Sequence, residues 1–264
     1  MPDPKPIGVF DSGVGGLSVL QEIRRVLPQE DIIYYADSAH CPYGLKTPEE
    51  IISRSFKICD FLLSLNCKML VVACNTASVA GLDLYRQKYP IPIVGMEPAI
   101  KPAISATKNG KIGVLATGVT LSGNRFSSLL EKYQNGAEVY SQPCPGLVEQ
   151  VEKGCHNSTE TAQLLKNYIS PLLDKGVDTI VLGCTHYPFL KGTVRETVGL
   201  EITIIDTGEA VARQVGRVLF QHDLENQCQR KGSETFHTSG ETYLVAPVII
   251  KLWGGSPKVF HTPL

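Results

Sequence analysis

Short apolar runs alternate with longer amphipathic stretches from the start of the chain to about position 220. The short runs are typical of buried strands, and the stretches between them repeat apolar residues at helical spacing. The predicted strands are Ile7–Phe10, Ile32–Tyr35, Met69–Ala73, Ile91–Val94, Ile112–Ala116, Ala137–Ser141, Thr179–Gly183 and Thr203–Ile205. The predicted helices are Gly16–Leu27, Pro48–Leu65, Ser78–Lys88, Leu121–Tyr133, Thr159–Lys175 and Glu209–Leu219. This alternation predicts an α/β protein with mostly parallel sheets flanked by helices.

Three segments of the first hundred residues return in the same order, at an offset of just over one hundred residues. The pairs are Ile7–Gly13 with Ile112–Gly118, Cys41-Pro42 with Cys144-Pro145, and Val71–Thr76 with Val181–His186. Such repetition indicates two copies of one structural unit. We therefore predict two pseudo-symmetric lobes, 1–97 and 98–206, that face each other across a cleft holding the active site. The segment 207–264, with extended pieces at Glu234–Thr238 and Lys258–His261, is predicted to return to the first lobe.

Cys74 and Cys184 hold equivalent positions in the third repeated pair. Each follows an apolar strand, where open α/β sheets bind ligands, and precedes small polar residues that could open a helix. A helix N-terminus favours a thiolate. Most free cysteines are buried and inert, but the duplicated context favours a function. Two thiols on opposite sides of a ligand suit removal of a proton from one face of a carbon and its replacement on the other.

Polar residues of the same loops are candidate partners for the thiols or for a substrate. Asp11 and Ser12 follow the first strand, and His186 lies two residues beyond Cys184. A carboxylate and an imidazole could assist a thiol or hold a substrate ammonium. Further donors come from Asn75, Thr76 and Thr185 at predicted helix starts, where carboxylates are stabilised, and from the loop Pro42-Tyr43-Gly44.

Composition and charge narrow the function classes. Of 264 residues, 43% are hydrophobic and 19% charged, and 25 Lys and Arg residues against 26 Asp and Glu residues leave a net charge of -1. No global basic field exists for nucleic acid or an anionic membrane, so we expect neither partner. No apolar run could span a bilayer, and the N-terminus lacks the pattern of a signal peptide, so we expect a cytoplasmic protein.

Cofactor and metal motifs are weak in this chain. The eight cysteines include no CxxC pair and no Cys/His spacing typical of zinc, so the sequence predicts no metal site. Gly13, Gly15 and Gly16 do not form the dinucleotide fingerprint GxGxxG, and Asp11 would repel a pyrophosphate. We interpret these glycines as a turn that permits close packing of a helix.

Four motifs taken together resemble the glutamate racemases of the aspartate/glutamate racemase superfamily. They are Asp11-Ser-Gly-Val-Gly-Gly16, Cys41-Pro-Tyr-Gly44, Ala73-Cys-Asn-Thr-Ala77 and Gly183-Cys-Thr-His-Tyr-Pro188. The resemblance covers residues 7 to about 210 and continues weakly through 236–240. It implies a cofactor-independent isomerase that interconverts L- and D-glutamate and supplies D-glutamate for peptidoglycan, and thus for cell shape. It also implies a homodimer.

The resemblance assigns roles to individual residues. Cys74 and Cys184 would be the two proton donors and acceptors, assisted by Asp11 and His186. The implied substrate-binding residues are Asp11, Ser12, Pro42, Tyr43, Gly44, Asn75, Thr76, Thr117, Thr120, Glu152, Thr185 and His186.

Other functions stay open at this point. An aspartate racemase would use the same chemistry on a shorter substrate. A non-catalytic protein of this fold could instead bind a partner, as some glutamate racemases restrain DNA gyrase. A one-thiol decarboxylase of the superfamily is disfavoured, because both cysteines are present.

Overall fold

The computed structural model describes residues 3–134 and 136–264. Its strands are β1 Ile7–Asp11, β2 Ile32–Ala36, β3 Met69–Val72, β4 Ile93–Gly95, β5 Lys111–Ala116, β6 Glu138–Pro143, β7 Thr179–Leu182, β8 Thr203–Ile205, β9 Glu234–Thr238 and β10 Val259–His261. Its helices are α1 Leu17–Val26, α2 Pro48–Ser64, α3 Asn75–Lys88, α4 Ile100–Ala106, α5 Gly118–Ser122, α6 Asn124–Tyr133, α7 Leu147–Glu152, α8 Thr159–Asp174, α9 Lys191–Val198, α10 Gly208–Gln221 and α11 Thr242–Trp253. Short 3-10 turns lie at Ser38–His40, Tyr43–Leu45 and Tyr187–Leu190.

The strands form two separate sheets. One sheet has the order β10-β9-β2-β1-β3-β4, and the other has the order β6-β5-β7-β8. Every pairing between described strands is parallel. The order β2-β1-β3-β4 in the first sheet is matched by β6-β5-β7-β8 in the second, so β3 and β7 occupy equivalent positions. The α/β architecture predicted from the alternating pattern is therefore confirmed.

Burial explains why the central strands read as continuous apolar runs. All residues of β1, β3 and β7 are buried, as expected for parallel strands covered by helices on both faces. The helices show apolar residues on one side only. In α1, for example, Leu17, Leu20 and Ile23 are buried, while Arg24 and Arg25 occupy the last turn, where positive charge stabilises the helix dipole.

The C-terminal part of the chain extends the first sheet. β9 pairs with β2, and β10 pairs with β9. Tyr34 and Phe236 are paired in this register, and their ring centroids lie 6.1 Å apart. The first sheet therefore combines strands from residues 7–95 with strands from residues 234–261.

Several helices differ from the prediction. The predicted helix Leu121–Tyr133 is interrupted at Gly123, where α5 ends and α6 begins. A Cβ at Gly123 would lie 2.2 Å from Val79 Cγ1, so the close approach of α3 requires glycine. The short helices α4, α7 and α9 were not predicted, because each is too short to show a clear period.

Helix α11 was also missed, for a different reason. It is apolar over most of its length, so it shows little contrast between a polar and an apolar face. Within residues 3–134 and 136–264, no helix is both long and apolar enough to cross a membrane.

Candidate active site

The carboxyl ends of the two sheets meet at a small cavity. Its lining residues are Ser12, Pro42, Tyr43, Gly44, Cys74, Asn75, Thr76, Thr117, Val148, Cys184, Thr185 and His186. The first sheet supplies loops after β1, β2 and β3, and the second supplies loops after β5 and β7 together with α7. The free volume is about 10 Å³, which is room for roughly one water molecule. An amino acid can therefore enter only if the cleft opens.

Cys74 lies between β3 and α3, as the N-cap of the helix. Its Sγ accepts a hydrogen bond from the Ala77 N–H at 3.5 Å and lies 3.8 Å from the Ser12 hydroxyl. Burial raises the pKa of this thiol well above its ordinary value, and the negative charge of Asp11 raises it further. Cys74 therefore rests as a protonated thiol.

Asp11 lies directly behind the cavity at the end of β1 and is fully buried. Its Oδ2 accepts hydrogen bonds from the Gly16 N–H at 2.7 Å and from the Thr185 hydroxyl at 3.4 Å. Its Oδ1 accepts from the Ser12 hydroxyl at 3.3 Å. Burial raises the pKa of Asp11, and the charge of His186 acts in the opposite direction. Asp11 thus holds two cavity-lining hydroxyls in place.

Cys184 follows β7 and faces an imidazole. The His186 Nδ1 lies 3.7 Å from Cys184 Sγ, and the His186 Nε2 lies 2.6 Å from Glu152 Oε1. Burial by itself lowers the pKa of His186, but hydrogen bonds to Cys184, Cys41 and Glu152 outweigh this effect and raise the pKa well above its ordinary value. The imidazole next to Cys184 is therefore positively charged at neutral pH.

The glycine-rich loop brings the two halves of the site together. A Cβ at Gly13 would lie 2.0 Å from Glu152 Oε1, and a Cβ at Gly15 would lie 2.3 Å from His186 Nδ1. In addition, the Val14 N–H donates a hydrogen bond to Glu152 Oε1 at 2.7 Å. Glycine is needed at positions 13 and 15 because side chains from α7 and from the loop after β7 occupy that space.

Three threonines line one side of the cavity or support it. The hydroxyls of Thr76, Thr117 and Thr120 lie 3.0 to 3.4 Å from one another. Thr76 and Thr117 line the cavity, whereas Thr120 is fully buried behind them. The cluster joins α3 of the first half to α5 of the second.

Asn75 has an unusual environment at the start of α3. It is 2% exposed, and neither its side-chain oxygen nor its side-chain nitrogen has a hydrogen-bond partner within the described part of the chain. Buried amides are nearly always paired, because an unpaired one is costly. Asn75 lines the cavity, so its amide is available there to a bound ligand.

Comparisons with known proteins agree with this architecture. The sequence profile of the Asp/Glu/Hydantoin racemase family matches residues 7–215. The chain belongs to this racemase family. It is 49% identical to a glutamate racemase of Pseudomonas paraeruginosa over 96% of both chains. It is 56% identical to a glutamate racemase of Pseudomonas syringae over 83% of this chain and 80% of that protein.

Solved structures of glutamate racemases share the fold. The glutamate racemase of Bacillus anthracis is 35% identical, covers 98% of both chains and has a TM-score of 0.90. The Escherichia coli glutamate racemase, in complex with L-glutamate and the activator UDP-MurNAc-Ala, is 31% identical, covers 98% of both chains and has a TM-score of 0.86.

Most residues predicted for the racemase site line the cavity. The exceptions are Asp11, Thr120 and Glu152, which contact lining residues through hydrogen bonds. One local expectation is wrong. Cys184 and Thr185 do not open an α-helix, because the chain continues into the 3-10 turn Tyr187–Leu190 before α9 begins. The electrostatic partner of Cys184 is therefore a side chain, His186.

Sequence analysis missed several residues around this family's site. Val148 lines the cavity, and Asp37 accepts a hydrogen bond from the Tyr43 hydroxyl at 2.6 Å. Arg54 in turn donates to Asp37 at 2.7 and 3.1 Å. Asp37 follows β2 directly, just as Asp11 ends β1, and this shared position at the sheet edge was the one available signal. Val148 and Arg54 lie on helices and carry no such signal.

Proposed function

We propose that this racemase interconverts L- and D-glutamate without a cofactor, with one thiolate removing the α-proton and the opposite thiol donating a different proton. Similarity to proteins named glutamate racemase, at up to 56% identity, supports glutamate as the substrate. In this proposal the D-glutamate serves peptidoglycan synthesis.

One observation carries the two-thiol mechanism. Cys74 and Cys184 follow equivalent strands of two matched sheets, and both line the same cavity. A substrate between them would present opposite faces of its α-carbon to the two sulfurs. A single base would have to reach both faces, whereas two bases avoid that movement.

The reaction needs one thiolate and one thiol at a time. The thiolate removes the α-proton, and the opposite thiol gives its proton to the other face. After each turnover the two sulfurs have exchanged protonation states, which prepares them for the reverse direction. The substrate α-proton is much less acidic than a thiol, so the site must stabilise the negative charge that develops on the substrate carboxylate.

Polar groups around the cavity fit that requirement. We propose that Ser12, Asn75, Thr76 and Thr185 bind the substrate, together with Pro42, Tyr43, Gly44 and Thr117 on the side of α5. Asp11, Thr120, Glu152 and His186 then position these groups and set the charge near the thiols. Closure around the ligand excludes water, which strengthens each of these interactions.

Opening of the cleft is part of the proposal, because the cavity is too small for glutamate. We propose that the lobes 1–97 with 207–264, and 98–206, move apart to admit substrate. We also propose a cytoplasmic homodimer. Exposed apolar side chains on α11, such as Tyr243 and Leu244, favour self-association. Light scattering should then give twice the mass of one chain.

The decisive experiment follows optical activity and deuterium uptake together. L- and D-glutamate are incubated in D2O with the wild type, Cys74→Ala and Cys184→Ala, and read by circular dichroism and by NMR of the α-proton. The two-thiol mechanism predicts that the product carries deuterium while the remaining substrate keeps its proton at early times. Each substitution should lower kcat by about 10³-fold or more.

Cys228→Ala is the matched control, because Cys228 is exposed. It should keep full activity. Equal early exchange in substrate and product would indicate a single base. Faster turnover of aspartate than of glutamate would favour an aspartate racemase. Normal activity after loss of either Cys74 or Cys184 would refute the mechanism.

A further inference from the structure

A thiol, a carboxylate and an imidazole converge at the edge of the cavity. Cys41, Glu152 and His186 each place one donor atom within 4.8 Å of the donor atoms of the other two. Cys41 follows the 3-10 turn Ser38–His40, Glu152 ends α7, and His186 follows β7. The three residues are far apart in sequence, so no spacing motif reveals them.

This set of donors matches the preferences of zinc. Zn²⁺ binds Cys sulfur, His nitrogen and carboxylate oxygen in a tetrahedral arrangement at about 2.0–2.3 Å, which places ligand atoms about 3.3–3.8 Å apart. Donor atoms up to 4.8 Å apart therefore need to approach by up to roughly 1.5 Å. His186 is buried, but Cys41 and Glu152 are partly exposed, so the cluster borders the protein surface.

The three residues lie on opposite sides of the cleft. Cys41 belongs to the loop after β2 of the first sheet, and Glu152 and His186 belong to the part of the chain that forms the second sheet. The Val14 N–H already bonds to Glu152 across the same boundary at 2.7 Å. We propose that Cys41, Glu152 and His186 bind a divalent zinc-type cation. The bound ion would connect the two sides of the cleft and stabilise its closed state.

In the proposed complex, the charges of the Cys41 thiolate and the Glu152 carboxylate balance the charge of the divalent ion. The Cys41 thiol and the protonated His186 imidazole each release one proton to water as their bonds to zinc form, and water molecules leave the ion. Burial raises the pKa of the Cys41 thiol to about 12 in the metal-free protein, with a further contribution from the charge of Glu152, so affinity rises with pH. The ion also replaces the hydrogen bond between Glu152 and His186.

Metal binding is measured on the purified full chain without reference to activity. Zn²⁺ is titrated in competition with a chromophoric chelator, and Co²⁺ serves as a probe whose near-ultraviolet absorption reports a thiolate ligand. We expect one ion per chain. Cys41→Ser should weaken binding by about 100-fold or more, since a lost ligand costs more than the roughly 10–100-fold of a lost outer partner. Cys228→Ser, at an exposed cysteine, should bind as the wild type does.

Cys184 offers an alternative ligand, because its sulfur lies 3.7 Å from His186 Nδ1. Cys184→Ser should keep the cobalt–thiolate absorption if Cys41 is the ligand. Loss of that absorption in Cys184→Ser with retention in Cys41→Ser would overturn the proposal, and so would the absence of one-to-one binding in the wild type. Thermal unfolding checks that Cys41→Ser is folded. If it is not, Glu152→Gln replaces it and must show the same loss.

Stabilisation of the closed cleft by the ion also has a kinetic consequence, which rests on the proposed racemase function. An ion that holds the empty cleft shut competes with substrate, so Zn²⁺ at ten times its Kd should raise the apparent KM for glutamate about 11-fold at unchanged kcat. Cys41→Ser should lose this effect. A lower kcat at constant KM would exclude stabilisation of the closed cleft by the ion. If the wild type does not racemise glutamate, the proposed function fails, and the chelator titration still decides the metal site.

Discussion

The loops that carry Cys74 and Cys184 have equivalent positions in their sheets but opposite electrostatic surroundings. Cys74 caps α3, and its burial, together with the nearby carboxyl of Asp11, raises its pKa and keeps its thiol protonated. Cys184 precedes a 3-10 turn and faces the positively charged imidazole of His186. A cation next to a sulfur stabilises negative charge on it. The repeated backbone thus supplies two thiols, and the side chains around them make the two unlike.

This asymmetry has a specific kinetic signature. L- and D-glutamate have equal free energies in solution, so kcat/KM must be the same in both directions, whatever the mutation. A difference between the two thiols can therefore appear only in the separate values of kcat and KM, and in the isotope effects for each enantiomer.

Among the residues that surround the two thiols, the largest expected effect follows removal of the cation beside Cys184. His186→Asn should lower kcat/KM by about 10²–10³-fold, because thiolate formation loses its electrostatic partner. The isotope effect should rise most for the enantiomer that Cys184 deprotonates. Initial rates with α-protonated and α-deuterated glutamate measure this. Asp11→Asn should shift the isotope effects toward the other enantiomer, and the same shift in both variants would contradict the comparison.

Asn75→Ala should separate binding from stability in the Cys74 loop. The Asn75 amide has no partner within the described residues, so its removal breaks no internal hydrogen bond. We expect unfolding free energy to change by less than about 1 kcal/mol, while kcat/KM falls by about 10–100-fold through KM, as for a lost hydrogen bond to a charged group. Thermal unfolding and steady-state kinetics test this, with Asn157→Ala as an exposed control. A destabilised variant with normal KM would show a structural role instead.

Glu152→Gln should change the pH profile. The raised pKa of His186 keeps its charge through neutral pH, and activity that depends on this charge is lost as pH rises through that pKa. Loss of the Glu152 carboxylate lowers the pKa, so the decline should begin at lower pH, with kcat about tenfold lower at neutral pH. Rates across a pH series test this, and Glu160→Gln, at an exposed position on α8, serves as the control. An unshifted pH profile would show that Glu152 does not set the pKa of His186.

The smallest effect is expected in the Cys184 loop at Thr185. Its hydroxyl already donates a hydrogen bond to Asp11 at 3.4 Å, whereas the Asn75 amide has no partner among the described residues. Thr185→Val should therefore lower kcat/KM by only about 2–10-fold, the range of one ordinary hydrogen bond. Steady-state kinetics with both enantiomers measure it. A larger loss of kcat/KM than in Asn75→Ala would show that the Cys184 loop contributes more to substrate binding than the Cys74 loop.

Local pattern was sufficient for the fold class and for the pair of thiols. Parallel strands buried on both faces form nearly continuous apolar runs, so β1, β3, β5 and β7 could be predicted directly from the sequence. The repeated segment around Cys74 and Cys184 also predicted that both would follow equivalent strands. These features depend on neighbouring residues in the chain, which the sequence displays.

The sequence by itself thus determined two α/β units and a thiol at the edge of each. Only the tertiary structure decided how Asp11 and His186 are held beside those thiols and why Gly13 and Gly15 are glycines. It also brought Cys41, Glu152 and His186 within reach of one another. Each of these depends on atoms from segments far apart in the sequence approaching within a few ångströms, and no local periodicity encodes such a distance.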